Sequence, residues 1–166
     1  MCIQRLFAIF ILAVALAVLV TVFLAEHFFG KEPCSLCLYQ RVPFLITGFF
    51  ATITLCFRVT SRLIPIIFVF CALIYLVGSG LAFYHVGVEK LWWSSECSGS
   101  LSQNTTLEQL RASLMKKAER PCNEVNWSLF GISMAIYNVF LSSALCIITI
   151  VISRKILIKP IIKLKK

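Results

Sequence analysis

The stretch Leu6-Phe-Ala-Ile-Phe-Ile-Leu-Ala-Val-Ala-Leu-Ala-Val-Leu-Val-Thr-Val-Phe-Leu-Ala25 decides the fold. It runs for 20 residues without one Asp, Glu, Lys or Arg. A helix of about 20 apolar residues spans the roughly 30 Å hydrocarbon core of a bilayer. Helices satisfy every backbone N–H and C=O internally, which lipid demands. A cleaved signal peptide competes for this run. Its apolar length exceeds the roughly 7–15 residues of a signal core, and no A-x-A-like site follows. It is therefore expected to remain as a span.

Working outward, three more runs lack Asp, Glu, Lys and Arg: Val42–Phe57, Leu63–Tyr84 and Trp127–Ile152. The second is short and borrows flanking residues or thins the bilayer locally. The expectation is an all-α membrane protein, a four-transmembrane-helix bundle forming one domain over residues 1–166. Composition agrees. The chain is 60% hydrophobic and 14% charged, against about 45–50% and about 25% in soluble domains. Disorder is excluded, because so much apolar surface would not stay dispersed. The net charge of +9 could suggest nucleic acid, but a nucleic-acid binder needs a water-soluble basic face, and these charges are few and scattered.

The charge sorts by side instead. Arg5, Arg58, Arg62, Arg154, Lys155, Lys159, Lys163, Lys165 and Lys166 fall on one side, without an acid. Lys31, Arg41, Lys90, Arg111, Lys116, Lys117 and Arg120 fall on the other, with Glu26, Glu32, Glu89, Glu96, Glu108, Glu119 and Glu124. The first side carries the whole excess and the second sums to zero. The positive-inside rule then makes both termini and the tail over 153–166 cytoplasmic. The loops over 26–41 and 85–126 face outward. In the longer loop, Thr105 and Glu108 have capping-box spacing, and Leu107, Leu110 and Leu114 share one helical face. A short amphipathic helix is expected there, resting on the outer membrane surface or packed on the loop. Leu91, Trp92, Trp93 and Trp127 suit the interfacial aromatic belt.

The eight cysteines sort by side as well. Cys2 is at the cytoplasmic terminus. Cys56, Cys71 and Cys146 lie in or at the ends of apolar runs and read as small buried hydrophobes. Cys34, Cys37, Cys97 and Cys122 fall on outward loops, where disulfides form and persist. By loop, they pair as Cys34–Cys37 and Cys97–Cys122. A closed C-x-x-C loop is a poor staple and favours an exchangeable redox disulfide. A helix N-terminus there would favour a thiolate. If the turn is helical, Arg41 shares the face of Cys37 and Cys34 and adds a fixed cation. Pro43 leaves two geometries open: the regular helix starts there, or the Cys34–Arg41 turn is set off by a kink. The second pair encloses 24 residues. As a static cross-link it would contribute about 3.5 kcal/mol; beside a C-x-x-C it could equally exchange. Structural zinc is disfavoured, since only one cysteine pair is close and His27 and His85 lack ligand spacing. His85 ends the third run. It could meet Arg41 at the mouth of the bundle, a polar pair at an apolar pocket.

The string Cys34-Ser-Leu-Cys37-Leu-Tyr-Gln-Arg41 at the mouth of the second of four spans resembles the disulfide bond formation protein B (DsbB) family. So does the remaining layout: a second cysteine pair in a long outer loop, then Trp127 and Phe130-Gly131-Ile132-Ser133 entering the fourth span. The resemblance implies a quinone-dependent oxidase of a periplasmic thioredoxin-fold partner of the DsbA kind, in a bacterial inner membrane. It further implies that Cys97–Cys122 receives the partner's thiolate, with Cys97 in the mixed disulfide. Electrons would pass to Cys34–Cys37. Cys37 would face the quinone, ubiquinone or menaquinone, with Arg41 and His85 flanking the ring. A cation near the quinone oxygens would stabilise charge developing on reduction.

Two rivals share parts of this pattern. A vitamin K epoxide reductase-like enzyme also couples cysteines to a quinone, but its loop cysteines precede the C-x-x-C. A four-span scaffold of tetraspanin or claudin type would hold static outer disulfides. The tetraspanin C-C-G triplet and the large first outer loop of claudins are both missing here.

Overall fold

A computed structural model describes residues 2–30, 33–57, 63–93, 122, 128–129 and 131–163. The elements are α1 (Cys2–Phe29), α2 (Ser35–Tyr39), α3 (Val42–Cys56), α4 (Ile64–Glu89), β1 (Ser128–Leu129), β2 (Ile132–Ser133) and α5 (Met134–Lys163). Among the described residues, four segments are long and apolar enough to cross a membrane: Ile3–Phe28, Ser35–Cys56, Ile64–Glu89 and Met134–Ile158. The expected bundle of four membrane-spanning helices is therefore present.

Three boundaries differ from the sequence reading, each for a local reason. The second crossing gains α2 upstream. Pro43 has no N–H to bond the carbonyl four residues back, so the ladder breaks at Gln40–Arg41 and restarts with Leu45 N–H to Arg41 O at 3.1 Å. Both geometries left open at Pro43 describe the result: the regular helix α3 starts with Pro43 in its first turn, and the Cys34–Arg41 turn stands off from it as α2. The third crossing continues past Tyr84 to Glu89, so His85 sits within the helix instead of ending it. The fourth helix begins at Met134 instead of Trp127. Ser128–Leu129 and Ile132–Ser133 pair antiparallel, turning at Gly131, whose φ of +78° suits a residue without Cβ.

The core lies in three tiers along the bundle. Phe7, Ala8, Ile11, Ala51, Ile64, Phe68 and Ile156 fill one end. Ala15, Phe44, Ala72, Tyr75, Leu145 and Cys146 fill the middle. Cys34, Val88 and Cys122 close the other end. The widest contacts run between α4 and α5 and between α1 and α3. Lipid gives helices no hydrophobic reason to associate, so close packing and polar bonds must do it. Gly48 faces Ala15, and Gly78 lies so near Pro43 that a Cβ there would sit 3.0 Å from the ring. Ser79 and Ser143 bond across α4 and α5 at 2.8 Å, and Ser153 Oγ donates to the Pro65 carbonyl at 3.0 Å. Large apolar side chains such as Phe49, Val77 and Phe140 point outward, as lipid-facing residues do.

Cys71 and Cys146 are buried and free, as expected of small core residues. Cys56 corrects that expectation: it is free but exposed at the end of α3. The expected amphipathic helix around Thr105–Leu114, and Trp127, lie outside the described residues. Trp92 and Trp93 are at the surface, with Trp93 stacked on Tyr84 at 5.8 Å and donating to the Tyr84 carbonyl at 3.1 Å.

Candidate functional site

The C-x-x-C turn closes the end of the bundle that α4 finishes. Cys34 has extended backbone (φ −77°, ψ 164°) and caps the five-residue α2. Its sulfur takes the place that a Ser or Asp oxygen usually holds, accepting the Cys37 N–H at 3.3 Å. Cys34 is buried, at 2% exposure, and Cys37 half-buried; both are free thiols. The Cys34 thiol is held well below the ordinary thiol range. The Cys37 side-chain hydrogen bond is the main cause, helped by His85 and the Cys37 N–H and opposed by burial. One sulfur of the pair is thus built to carry negative charge.

A polar chain through the helices aims His85 at that sulfur. Ser142 Oγ donates to Asn138 Oδ1 at 3.1 Å, and Asn138 Nδ2 donates to Gln40 Oε1 at 2.8 Å. Gln40 Nε2 donates to His85 Nδ1 at 2.7 Å. With Nδ1 accepting, the ring proton sits on Nε2, which lies 3.7 Å from Cys34 Sγ. Each group in this chain spends a donor on the next, so four buried or half-buried polar side chains on α5, the α2–α3 break and α4 are satisfied together. Glu89, one turn after His85, places Oε1 3.8 Å from the same Nε2. Its Oε2 is buried with no hydrogen-bond partner among the described residues.

Arg41 sits beside this chain and pairs with Glu26 of α1 through one guanidinium nitrogen. Its Nε is buried with no hydrogen-bond partner among the described residues. Arg41 and His85 open onto one cavity of about 350 Å³ between α1, α3, α4 and α5. The walls from Val18, Val22, Phe44 and Leu141 are apolar, and Cys37, Gln40, Glu89 and Asn138 line it as well. This is the concave, mostly apolar shape with few placed polar groups that takes a small organic molecule. The expected meeting of Arg41 and His85 at one apolar pocket is therefore a feature of the structure.

Cys122 arrives from the far loop. It is fully buried in the cluster with Cys34 and Val88, with Cys37 packed against it, and Ser35 Oγ lies 3.9 Å from its sulfur. Cys122 is disulfide-bonded, whereas Cys97 lies outside the described residues. Five of the expected six site residues, Cys34, Cys37, Arg41, His85 and Cys122, thus gather at one end of the bundle. Sequence reading did not single out Gln40, Asn138 or Ser142 as site residues, although Gln40 stands within the quoted Cys34–Arg41 string. A signal existed for two of them: Asn138 and Ser142 stand four apart in an apolar run, which puts both on one face. It also missed Glu26 and Glu89 as site residues, counting them only as outer charges.

The chain matches a family model described as "Disulfide bond formation protein DsbB" over residues 4–152. It is similar to a Rickettsia prowazekii (strain Madrid E) protein described as uncharacterized, at 26% identity over 82% of this chain and 80% of that one. It is also similar to proteins described as "Disulfide bond formation protein B". That of Acinetobacter baylyi is 25% identical over 75% of this chain and 76% of the relative. That of Xylella fastidiosa (strain Temecula1) is 29% identical over 76% of each.

Proposed function

Since the chain belongs to the disulfide bond formation protein DsbB family, we propose that this disulfide-forming membrane oxidoreductase re-oxidises a periplasmic, DsbA-like thioredoxin-fold dithiol and delivers the electrons to membrane quinone. The charge asymmetry supports an inner-membrane orientation with both termini cytoplasmic and the cysteines on the periplasmic face. The observation that carries the reading is the burial of Cys122 against Cys34 and Cys37 above the cavity lined by Cys37, Arg41 and His85.

The residues present fit a quinone ring. The cavity volume of about 350 Å³ lies in the range of small-molecule sites, roughly 300–1,000 Å³. Its polar end offers a carbonyl oxygen the Arg41 Nε–H, which has no partner among the described residues. When bound, the quinone supplies an acceptor for two electrons and two protons and leaves as the quinol. The protein's residues do the rest. The partner's thiolate attacks Cys97, the Cys97–Cys122 bond breaks, and Cys122 leaves as thiolate. Cys122 then attacks Cys34 of the Cys34–Cys37 disulfide, and Cys37 leaves as a thiolate at the cavity wall. The partner's second thiolate resolves its bond to Cys97, so the partner leaves oxidised. The Cys97 thiolate thus released attacks Cys122, re-forming Cys97–Cys122 and freeing Cys34 as a thiolate, so the Cys34–Cys37 pair holds both electrons for the quinone. His85 faces the Cys34 sulfur and exchanges its proton, while Arg41 fixes positive charge where electron density accumulates. The low thiol range of Cys34 stabilises the reduced pair and so makes the disulfide a stronger oxidant.

The test is anaerobic reduction of quinone by the purified protein with a reduced thioredoxin-fold partner. Cys→Ser at Cys34, Cys37, Cys97 or Cys122 is expected to abolish turnover. Arg41→Ala is expected to raise the apparent quinone KM more than the partner KM. Retained turnover in any one cysteine variant would sink the relay. Static outer disulfides with no quinone response would instead favour the scaffold reading.

A further inference from the structure

The same end of the bundle holds a second kind of chemistry. Cys34 Sγ, Cys37 Sγ and a His85 ring nitrogen all lie within 4.8 Å of one another. A tetrahedral Zn²⁺ with bonds of about 2.3 Å to sulfur and about 2.05 Å to nitrogen would hold the two about 3.6 Å apart. Cys34 Sγ and His85 Nε2 are 3.7 Å apart. Glu89 stands outside this triad as a donor: among the described residues, Cys34, Cys37 and His85 alone bring ligand atoms within 4.8 Å of one another. Its Oε1 lies 3.8 Å from the same Nε2, with both side chains only 5% exposed, so it sets a carboxylate beside the site, and water would complete the tetrahedron.

We propose that the reduced protein binds a zinc-class divalent cation through Cys34 Sγ, Cys37 Sγ and His85 Nε2, with water as the fourth ligand and the Glu89 carboxylate beside it. Thiolate and imidazole donors select Zn²⁺ over the oxygen-loving Mg²⁺ and Ca²⁺. Gln40 bonds the other ring nitrogen at 2.7 Å and so fixes the orientation of the imidazole toward the ion. For Nε2 to bind metal, the ring proton moves to Nδ1. The Gln40 and Asn138 amides then turn over together, so that Gln40 accepts from Nδ1 and Asn138 donates to Ser142. The polar chain stays fully bonded in either direction, because each amide has a donor and an acceptor on its two ends. The site exists in one redox state. Forming the Cys34–Cys37 bond removes both sulfur donors and leaves His85 alone, too few to hold the ion. The metal therefore acts as a lock on the reduced form. This holds whichever way the cysteine pair exchanges electrons.

The experiment uses the full chain in detergent, reduced or oxidised, with Co²⁺ as the optical probe and Zn²⁺ as competitor. The reduced protein is expected to bind a single Co²⁺ with a thiolate-to-cobalt charge-transfer band and the intense visible bands of tetrahedral cobalt. Zn²⁺ should displace it. The oxidised protein should show neither band. Zn²⁺ should protect Cys34 and Cys37 from alkylation until a chelator is added. His85→Gln should weaken binding by more than the roughly 10–100-fold lost when a group that orients a ligand is removed, and Gln40→Ala and Glu89→Gln by an amount within that range. Absence of the charge-transfer band from the reduced wild-type protein overturns the site. So does an unchanged band in the Cys34→Ser/Cys37→Ser variant. His85→Gln binding as tightly as wild type overturns the assignment of His85 as a ligand. Because the readout is metal binding, failure here leaves the quinone assay untouched, and failure of that assay leaves this one standing.

Discussion

At the scale of single residues, the chemistry depends on how one sulfur is treated. Cys34 combines a capping position, the Cys37 N–H at 3.3 Å and His85 Nε2 at 3.7 Å, and its thiol falls below the ordinary range. The disulfide form has no thiol to titrate. Stabilisation of the reduced form is therefore present above the lowered value and lost as pH falls through it. Around neutrality one of the two thiols is already ionised, so reduction takes up two electrons and one proton. The potential of the Cys34–Cys37 pair is expected to fall by about 30 mV per pH unit there, instead of about 60 mV for two protons. Equilibration against thiol–disulfide buffers across pH reads this directly. His85→Ala should shift the potential to more reducing values, because the thiolate loses a donor while the disulfide loses nothing. A slope near 60 mV per unit in the wild-type protein would show that Cys34 titrates as an ordinary thiol. The C-x-x-C, Arg41 and His85 were legible in the sequence because their types are rare in an apolar chain. Gln40, Asn138 and Ser142 were not, because polar amides and hydroxyls in a span gain meaning only from the partner they reach.

At the scale of elements, breaks in regular structure build the site. Pro43 interrupts the backbone ladder and lets α2 stand apart from α3, which turns Gln40 toward α4 and α5. The same proline ring packs on α4 at Gly78, where a Cβ would meet it at 3.0 Å. A rigid ring cannot yield as a flexible side chain can. Gly78→Val is expected to destabilise the bundle by about 1–3 kcal/mol, the usual range for overpacking. Gly80→Val, on the same helix with nothing within 4 Å of its Cβ, serves as the control. Thermal unfolding in detergent, followed by helical circular dichroism, compares the two. Equal melting of both variants would mean that Pro43 is not a fixed wedge. The element boundaries that sequence reading displaced are those set by such breaks. Hydropathy averages over a window and passes smoothly from Tyr84 to Glu89, or across the hairpin at Gly131, where backbone geometry does not.

At the scale of the whole molecule, the three core tiers set two different ends. One end is apolar and carries Phe7, Phe68 and Ile156; the other gathers Cys34, His85, Glu89 and Cys122. Cys56 is free and exposed at the end of α3 away from the cysteine site. With the positive excess on that side, Cys56 is expected to react with a membrane-impermeant maleimide only from the cytoplasmic face. Inside-out vesicles should label and right-side-out spheroplasts should not. The reverse pattern would invert the proposed orientation and put the site in the wrong compartment for disulfide formation.

The sequence by itself determined the class, the number of crossings and the residue types available for chemistry. Those follow from runs without charge, from the sidedness of Lys and Arg, and from cysteines sorted by loop, all of which are local properties of the chain. Tertiary structure decided which of those residues meet. Cys34 and Cys122 are separated by most of the chain, yet they share one buried cluster. Glu26 reaches Arg41 and Asn138 reaches Gln40 only because α1 packs on α3 and α5 packs on α4. In an apolar medium an unbonded polar side chain is costly, so helix packing settles where each one finds its partner. No periodicity along the chain records that outcome.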